Sequence, residues 1–536
     1  MDADRGVFDR MTPQFSARVA ARSAVRAWLP KRAVHDVVVV GSGATGGWAA
    51  KELTEAGLHV LVLEAGRGWL EETALRAVCR VRRKAGYRVE RDARALERQP
   101  TQAQCYAWAG DPHAFVDDVD NPYSTAEGKP FSWFRARQLG GRLAVRNHGL
   151  YFMRHSDFDF RAASRDGCGD DWPVAYADLA PHYERVERAM GIRGNHDGIA
   201  HLPESIYAGP SEPFTPLHQD AKAAIERRWP ERRVIARRTA SPPPALADAL
   251  RTGRLTLRPN AVVSHIVLDK ATGKANGVAF IDRRTGRAQE VRAKVVVLCA
   301  SAIESARILL NSETPDGGRG LANSSGALGR YLMDHVYLSG LEARRALPPQ
   351  KPSDSWAFLY VPQFVNVGPA SRVPELSRGY GIQLALSGDQ VHAYAFGEML
   401  PRAENRVSLD ADVKDRWGIP AVRIDCAHGD NERKLVDHMT EQTREIMSAL
   451  GAMIEKPGEI RKPGASIHEV GTARMGRDAK TSVVDSFGRS WDVRNLFVSD
   501  GASFPSQGVQ NPTLTMMALT ARCADFIVTS LRRGEL

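Results

Sequence analysis

His468 lies in Ser466-Ile467-His468-Glu469-Val470-Gly471-Thr472-Ala473-Arg474-Met475-Gly476, a segment bounded by glycine. An imidazole titrates near neutral pH, so a histidine so placed can take or give a proton. Taken alone, it reads first as a structural histidine. Downstream, Leu496-Phe497-Val498-Ser499-Asp500-Gly501-Ala502-Ser503 reads as a buried strand ending in a small-residue turn. Ser506-Gln507-Gly508-Val509-Gln510-Asn511-Pro512-Thr513 then leads into a helix from Leu514 to Leu531. Near the other end of the chain, Gly41, Gly43 and Gly46 fit G-x-G-x-x-G, a spacing that brings backbone amides against phosphates.

The elements around the glycines give that spacing its meaning. Val37-Val38-Val39-Val40 is a short run of β-branched residues, read as a buried strand, and the glycines follow without a gap. A helix opens through Trp48-Ala49-Ala50-Lys51-Glu52-Leu53, and a second apolar run, Val60 to Leu63, ends on Glu64. An acidic residue about twenty positions after the glycines accepts ribose hydroxyls in such a unit. Gly41 allows the tight turn, Gly43 the approach of a pyrophosphate, and Gly46 the packing of helix on strand. The unit predicts an adenine dinucleotide and leaves NAD or FAD open.

The chain has 536 residues, ample for two or more domains, and is 43% hydrophobic and 25% charged, as in a soluble globular enzyme. The net charge of +10 is spread along the sequence with no long basic block, so we read it as solvated surface and expect no nucleic-acid partner. Cys79, Cys105, Cys168, Cys299, Cys426 and Cys523 form no C-x-x-C pair, and no metal site is expected. No segment reads as a signal peptide, and none approaches the length and apolarity of a membrane span. Phe15, Val19, Val25, Trp28 and Leu29 could form one face of an Arg-rich helix; that face could touch a membrane, and docking on the protein's own body is the expected reading. The expected setting is cytoplasmic.

In order, Glu71 to Lys84 reads as a helix within a long irregular excursion over 70–130, of the kind that covers a cofactor. Paired Gly140 and Gly141 allow close approach to a flat ligand or a phosphate, although a surface turn explains them as well. Gln219 to Arg228 reads as a helix, and Ser241-Pro242-Pro243-Pro244 as a linker. Val278 to Asp282 alternates like a strand, and Val295 to Ala300 reads as a buried one leading into a helix from Ser301. Ala357 to Val365, Gly381 to Leu386, Ala393 to Met399 and Arg406 to Leu409 suggest a mostly antiparallel sheet, followed by one long helix, Asn431 to Ile454.

Over nearly its whole length the chain resembles the glucose–methanol–choline (GMC) family of FAD-dependent oxidoreductases. The resemblance is carried by the N-terminal unit, Leu139-Gly140-Gly141, the Val263 strand and Ala302-Ile303-Glu304-Ser305. It continues through Gly329-Arg330-Tyr331-Leu332-Met333-Asp334-His335, the His468 segment and the block from Asp500 to Thr513. It implies an α/β fold: a Rossmann-like FAD-binding domain with a second, α+β substrate domain built on a mostly antiparallel sheet. The expected FAD-binding parts are 1–165, 241–336 and 465–536, and the expected substrate-domain parts 166–240 and 337–464. Gly41, Ser42, Gly43, Thr45 and Gly46 would hold the pyrophosphate and Glu64 the adenosine ribose, with Gly140 and Gly141 approaching the cofactor. Val263 would meet the adenine, Asp500, Gly501 and Ala502 the ribityl–phosphate chain, and Asn511, Pro512 and Thr513 the pyrimidine end of the flavin. His468 matches the family's catalytic histidine and Asn511 its partner. The implied reaction removes a hydroxyl proton to His468 while hydride passes from carbon to flavin N5.

Departures shape the finer expectation. Many members continue after the paired glycines with small serines or threonines, whereas this chain has Arg142-Leu143-Ala144-Val145-Arg146-Asn147-His148. Val145 stands where some relatives carry a flavin-linked histidine, so non-covalent FAD is expected, with His148 the one nearby residue that could reverse this. The resemblance is greatest to the pyranose oxidase and bacterial glycoside oxidoreductase branch. It points to oxidation of a secondary hydroxyl of a sugar or glycoside to a ketone, with O2 or a quinone-like compound as electron acceptor. The alternative within enzymes is oxidation of a primary alcohol on an aminoglycoside or other natural product. A non-redox lyase or a flavin-binding scaffold shares the fold, and retention of His468 with Asn511 counts against the scaffold.

Overall fold

The computed structural model describes residues 34–84, 86–145, 151–240, 244–346 and 357–536. The Arg-rich N-terminal segment, His148 and most of the Ser241-to-Pro244 run lie outside the described residues. Val37, Val38 and Val39 are wholly buried in the strand His35–Val40, as expected of an uninterrupted β-branched run covered on both faces. That strand pairs in parallel with Val60–Leu63 on one side and with Ala288–Leu298 on the other. Leu255–Arg258 extends the parallel set beyond Val60–Leu63, and Leu496–Val498 lies parallel to the end of Ala288–Leu298. The last of these changes partner along its length. Its alternating first half pairs antiparallel with Lys274–Asp282, and its continuously apolar second half enters the parallel core. The helices Ala44–Glu55 and Thr513–Arg532 pack on this sheet through Ala49, Ala50, Leu53, Ala524 and Ile527.

A second sheet is antiparallel throughout. Its order is Ala452–Ile460, Val336–Arg345, Gln390–Gly397, Tyr380–Ser387, Ala357–Val361 and Ile235–Ala236. The helix Asp430–Ala449 buries Leu435, Met439, Ile446 and Met447 against it.

Three expectations are corrected. The long helix stops at Ala449, not Ile454: Gly451 takes a left-handed φ of 63°, and the chain returns as the edge strand Ala452–Ile460. Arg406–Lys414 does not join the large antiparallel sheet; it pairs with Pro420–Asp425, which meets Ser124–Thr125 in a separate three-stranded sheet. Thr513–Arg532 is long and apolar enough to cross a bilayer, contrary to the expectation that no segment approaches this. Its apolar residues Leu514, Met517, Leu519 and Ile527 are instead buried in the core.

Candidate active site

Three parallel strands end side by side, and the residues after them build the floor of the site. The Cys299 amide donates to the Val40 carbonyl and the Ser499 amide to the Leu298 carbonyl, so Gly41, Cys299 and Ser499 begin neighbouring turns. Ligands of open α/β sheets bind at such carboxyl ends. A Cβ on Gly41 would stand 2.4 Å from the Cys299 carbonyl oxygen, and one on Gly46 would stand 2.0 Å from the Gly41 oxygen. These two glycines are therefore required by the protein's own packing. Gly43 differs, because a Cβ there would meet nothing closer than Gly141 Cα at 3.9 Å. Its bare backbone leaves room for a ligand. The helix that follows has no side-chain cap and no acidic residue in its first turn, which suits an anionic pyrophosphate. Thr45 is buried in the first turn of that helix, and the Cys299 thiol donates to the Ser499 carbonyl.

Glu64 is buried and tied to the same loop. One carboxylate oxygen accepts from the Ser42 amide and hydroxyl at 3.1 and 2.6 Å, and the other from the Gly66 amide at 2.7 Å. Burial pushes its pKa up, and these donors oppose that shift. A carboxylate has room for further donors, so ribose hydroxyls remain compatible with this arrangement. The paired glycines are no mere surface turn. Gly140 and Gly141 both have left-handed φ, 84° and 58°, and a Cβ on Gly141 would lie 2.9 Å from Gly43 Cα. The Gly140 amide donates to Ser42 Oγ at 3.2 Å. Val263 is buried beside the end of the Glu64 strand, where the Ala261 amide donates to the Glu64 carbonyl and the ladder is bulged between Val263 and His265.

Asp500 works inside the protein. Its carboxylate accepts from the Ser301 amide, the Ser305 hydroxyl and the Ala502 amide, holding Ser301 at a φ of 80°. Burial raises its pKa to about 6. The Gly501 carbonyl in turn accepts from the Gly471 amide at 2.9 Å, which joins this turn to the His468 segment.

The structure brings His468 and Asn511 together across 43 residues, with Asn511 Nδ2 2.9 Å from His468 Nε2. Asn511, Pro512 and Thr513 stand at the start of the closing helix, whose N-terminus carries no side-chain cap and no first-turn acid. The other ring nitrogen of His468, Nδ1, is 2.8 Å from Nδ1 of His335, whose Nε2 is 2.8 Å from the Gly508 carbonyl oxygen. Burial pushes the His335 pKa down to about 4. Asp334 holds the His468 loop by its backbone, accepting from the amides of Gly464, Ser466 and His468 and from the Ser466 hydroxyl. Burial, with the Glu469 carboxylate nearby, raises Asp334 to about 7, while the donors favour its charged form. Two of those amides flank Ile467, a β-branched residue held at a φ of 66°. Such a residue resists the left-handed region, so the clamp carries backbone strain next to the imidazole.

Several of these residues were not singled out by the sequence. Asp334 and His335 stood in a recognised segment without a role. Phe396 and Tyr337 come from adjacent strands of the antiparallel sheet and stack at 4.6 Å, with Phe396 5.6 Å from the His468 ring. Arg142, the departure after the paired glycines, donates to the Ile467 carbonyl and pairs with Glu469 at 2.8 Å. Val145 is buried in an apolar cluster against which Ile467 packs.

A family model described as GMC oxidoreductase matches residues 36–337 with its N-terminal part and 401–520 with its C-terminal part. The chain is 29% identical to 2-methyl-1,2-propanediol dehydrogenase of Mycolicibacterium austroafricanum, over 92% of this chain and 95% of that protein. It is 29% identical to 6'''-hydroxyparomomycin C oxidase of Streptomyces lividus, over 93% of this chain and 92% of that protein. A C-glycoside 3-oxidase of Arthrobacter globiformis is 31% identical over 49% of this chain and 52% of its own length. Among solved structures, pyridoxine 4-oxidase from Mesorbium loti shares the fold with a TM-score of 0.59 at 20% identity, covering 92% of this chain and 99% of that one.

Proposed function

The chain belongs to the GMC oxidoreductase family, FAD-dependent enzymes acting on CH–OH groups, and from that premise we propose that it oxidises a secondary ring hydroxyl of a sugar or glycoside to a ketone. The observation that carries this reading is the His468–Asn511 pair at 2.9 Å, set beside the stacked rings of Phe396 and Tyr337. The C–H face of a sugar ring packs on an aromatic wall, while its hydroxyls reach the polar pair. His468 Nε2 takes the hydroxyl proton, and Asn511 Nδ2 donates to the same oxygen, fixing the carbon for transfer. FAD, when bound, supplies the acceptor for the hydride.

The residues present fit that cofactor. Gly43, Thr45 and Gly46 would hold the pyrophosphate through backbone amides at an uncapped helix N-terminus, while Gly41 and Ser42, whose amides are taken by the Leu63 carbonyl and Glu64, shape the turn, and Glu64 would take the ribose. Val263 meets the adenine, and Asp500, Gly501 and Ala502 shape the chain-binding turn. Pro512 and Thr513 open the second uncapped helix, whose dipole favours negative charge at the flavin's pyrimidine end. Gly140 and Gly141 close over the loop. Val145 is a hydrocarbon and forms no flavin bond, which supports non-covalent FAD, with His148, outside the described residues, the one nearby residue that would reverse this; O2 or a quinone-like compound is the electron acceptor.

A second reading is favoured by one finding. The 6'''-hydroxyparomomycin C oxidase aligns over 93% of the chain, against 49% for the C-glycoside 3-oxidase. That points to a primary alcohol on an aminoglycoside or other natural product. Product analysis separates the two after incubation with methyl glycosides, C-glycosides and aminoglycosides. A ring ketone supports the proposal, an aldehyde supports the second reading, and no flavin bleaching with any of them overturns both.

A further inference from the structure

We propose that His335 is a positioning residue that fixes the tautomer of His468, keeping the proton on Nδ1 and the lone pair on Nε2, where it faces Asn511 and the substrate hydroxyl. This rests on the reading of His468 as the base.

The assignment follows from counting donors along one line. The Gly508 carbonyl can only accept, so His335 Nε2, 2.8 Å away, carries the hydrogen. His335 is 2% exposed, and its surroundings favour the neutral ring. A neutral ring protonated at Nε2 presents only a lone pair at Nδ1. Two ring nitrogens 2.8 Å apart share one proton, so His468 Nδ1 must donate to His335 Nδ1. The perpendicular rings, 89° apart, present one ring's edge to the other. Neutral His468 then keeps its lone pair on Nε2, where Asn511 Nδ2 donates to it at 2.9 Å. The line runs from a backbone carbonyl through two imidazoles to the amide, with one donor and one acceptor at each junction.

The same short segment sets the backbone and the ring. Asp334 accepts from the amides on both sides of Ile467, fixing where His468 leaves the chain, and His335, the next residue, fixes which nitrogen is bare. With substrate in place Asn511 Nδ2 donates to the hydroxyl oxygen instead of to His468 Nε2, and as the O–H bond breaks its proton joins the freed Nε2 lone pair. The resulting imidazolium still donates from Nδ1 to His335. A wrong tautomer would present an N–H to the hydroxyl and could take no proton from it. Loss of the tautomer-setting partner in a catalytic triad costs up to about 10⁴-fold in kcat, which sets the scale.

The test uses holoenzyme with 15N-labelled histidine. Wild type is expected to show His468 as the Nδ1–H tautomer and His335 as the Nε2–H tautomer. His335→Leu removes the acceptor, so kcat is expected to fall by about 100-fold or more with KM within about threefold and FAD content unchanged. His335→Gln keeps an amide donor for Gly508 and an oxygen acceptor for His468, so it should restore kcat to within about tenfold of wild type. Finding His468 as the Nε2–H tautomer in wild type, or full kcat in His335→Leu, overturns the proposal. If His335→Leu does not retain FAD, the His468 tautomer in His335→Gln decides instead: Nδ1–H supports it and Nε2–H sinks it. Should His468→Ala leave flavin reduction unchanged, the base reading fails, while the nitrogen spectra still report on the tautomer separately.

Discussion

The loop at residues 41–46 follows a parallel strand and the loop around His468 follows the antiparallel edge strand Ala452–Ile460; both present polar groups to the site, but they obtain their geometry differently. The first is made almost entirely from its own residues. A strand, three glycines and a helix N-terminus fix the amides, and Glu64 supports them from the next strand. The second has no such autonomy. His468 is placed by Asp334 and His335 from 133 residues or more upstream, by Arg142 from the glycine turn, and by Asn511 from the closing helix. A site that works through backbone amides can be encoded locally. A site that works through one imidazole nitrogen needs partners that dictate its proton, and the fold recruits them from afar.

The largest expected effect tests the local loop's self-sufficiency. Gly46→Ala places a Cβ 2.0 Å from the Gly41 carbonyl oxygen, so the purified protein should carry no FAD and show no activity. Gly43→Ala meets no atom closer than 3.9 Å and should fold normally, with FAD affinity reduced. Flavin absorbance per protein measures both. Equal loss in the two variants would erase the distinction between packing glycine and ligand-facing glycine. Next, the distant clamp is broken by Asp334→Ala, which strands three amides and a hydroxyl beside Ile467. Displacement of the imidazole should lower kcat by about 100-fold with FAD retained. Unchanged kcat would make the clamp irrelevant to chemistry.

The legible and illegible parts of the molecule follow the same division. The continuous valines, the glycine spacing and Glu64 announced the parallel sheet and its loop because each signal is local. The family resemblance brought His468 and Asn511 into view, and the structure places them 2.9 Å apart. His335 stayed silent, since no periodicity links a residue at the end of one turn to a ring 133 positions later. Phe396 and Tyr337 were equally hidden. They face each other only through the register of two antiparallel strands, which composition does not reveal. The helix running to Ile454 was overextended because Leu450 and Ala452 continue an apolar pattern that Gly451 interrupts through its φ alone.

Smaller effects sharpen the contrast. Asn511→Ala removes a donor to the hydroxyl oxygen but leaves the base, so kcat should fall about tenfold, in line with the loss of one hydrogen bond of about 1.4 kcal/mol. A loss as deep as that of His468→Ala would make the two residues equal in role. The smallest effect is a pH dependence of stability. His335 is held neutral to about 4 in the folded protein, below its ordinary 6.5, so the unfolded chain binds a proton first as pH falls. The stability this contributes is complete above the ordinary value and is lost on acidification towards pH 4. Between pH 8 and pH 5, wild type should lose about 2 kcal/mol more than His335→Gln in denaturant unfolding. Parallel profiles would show that the ring is not held neutral by burial.

The central claim is that His468 removes the hydroxyl proton during oxidation of a sugar or glycoside. Anaerobic stopped-flow mixing of FAD-loaded protein with saturating glycoside, following flavin bleaching in wild type and His468→Ala, tests it most directly. The account predicts bleaching in wild type and a rate at least about 10³-fold lower in His468→Ala at equal FAD content. Bleaching at an unchanged rate in His468→Ala would contradict it.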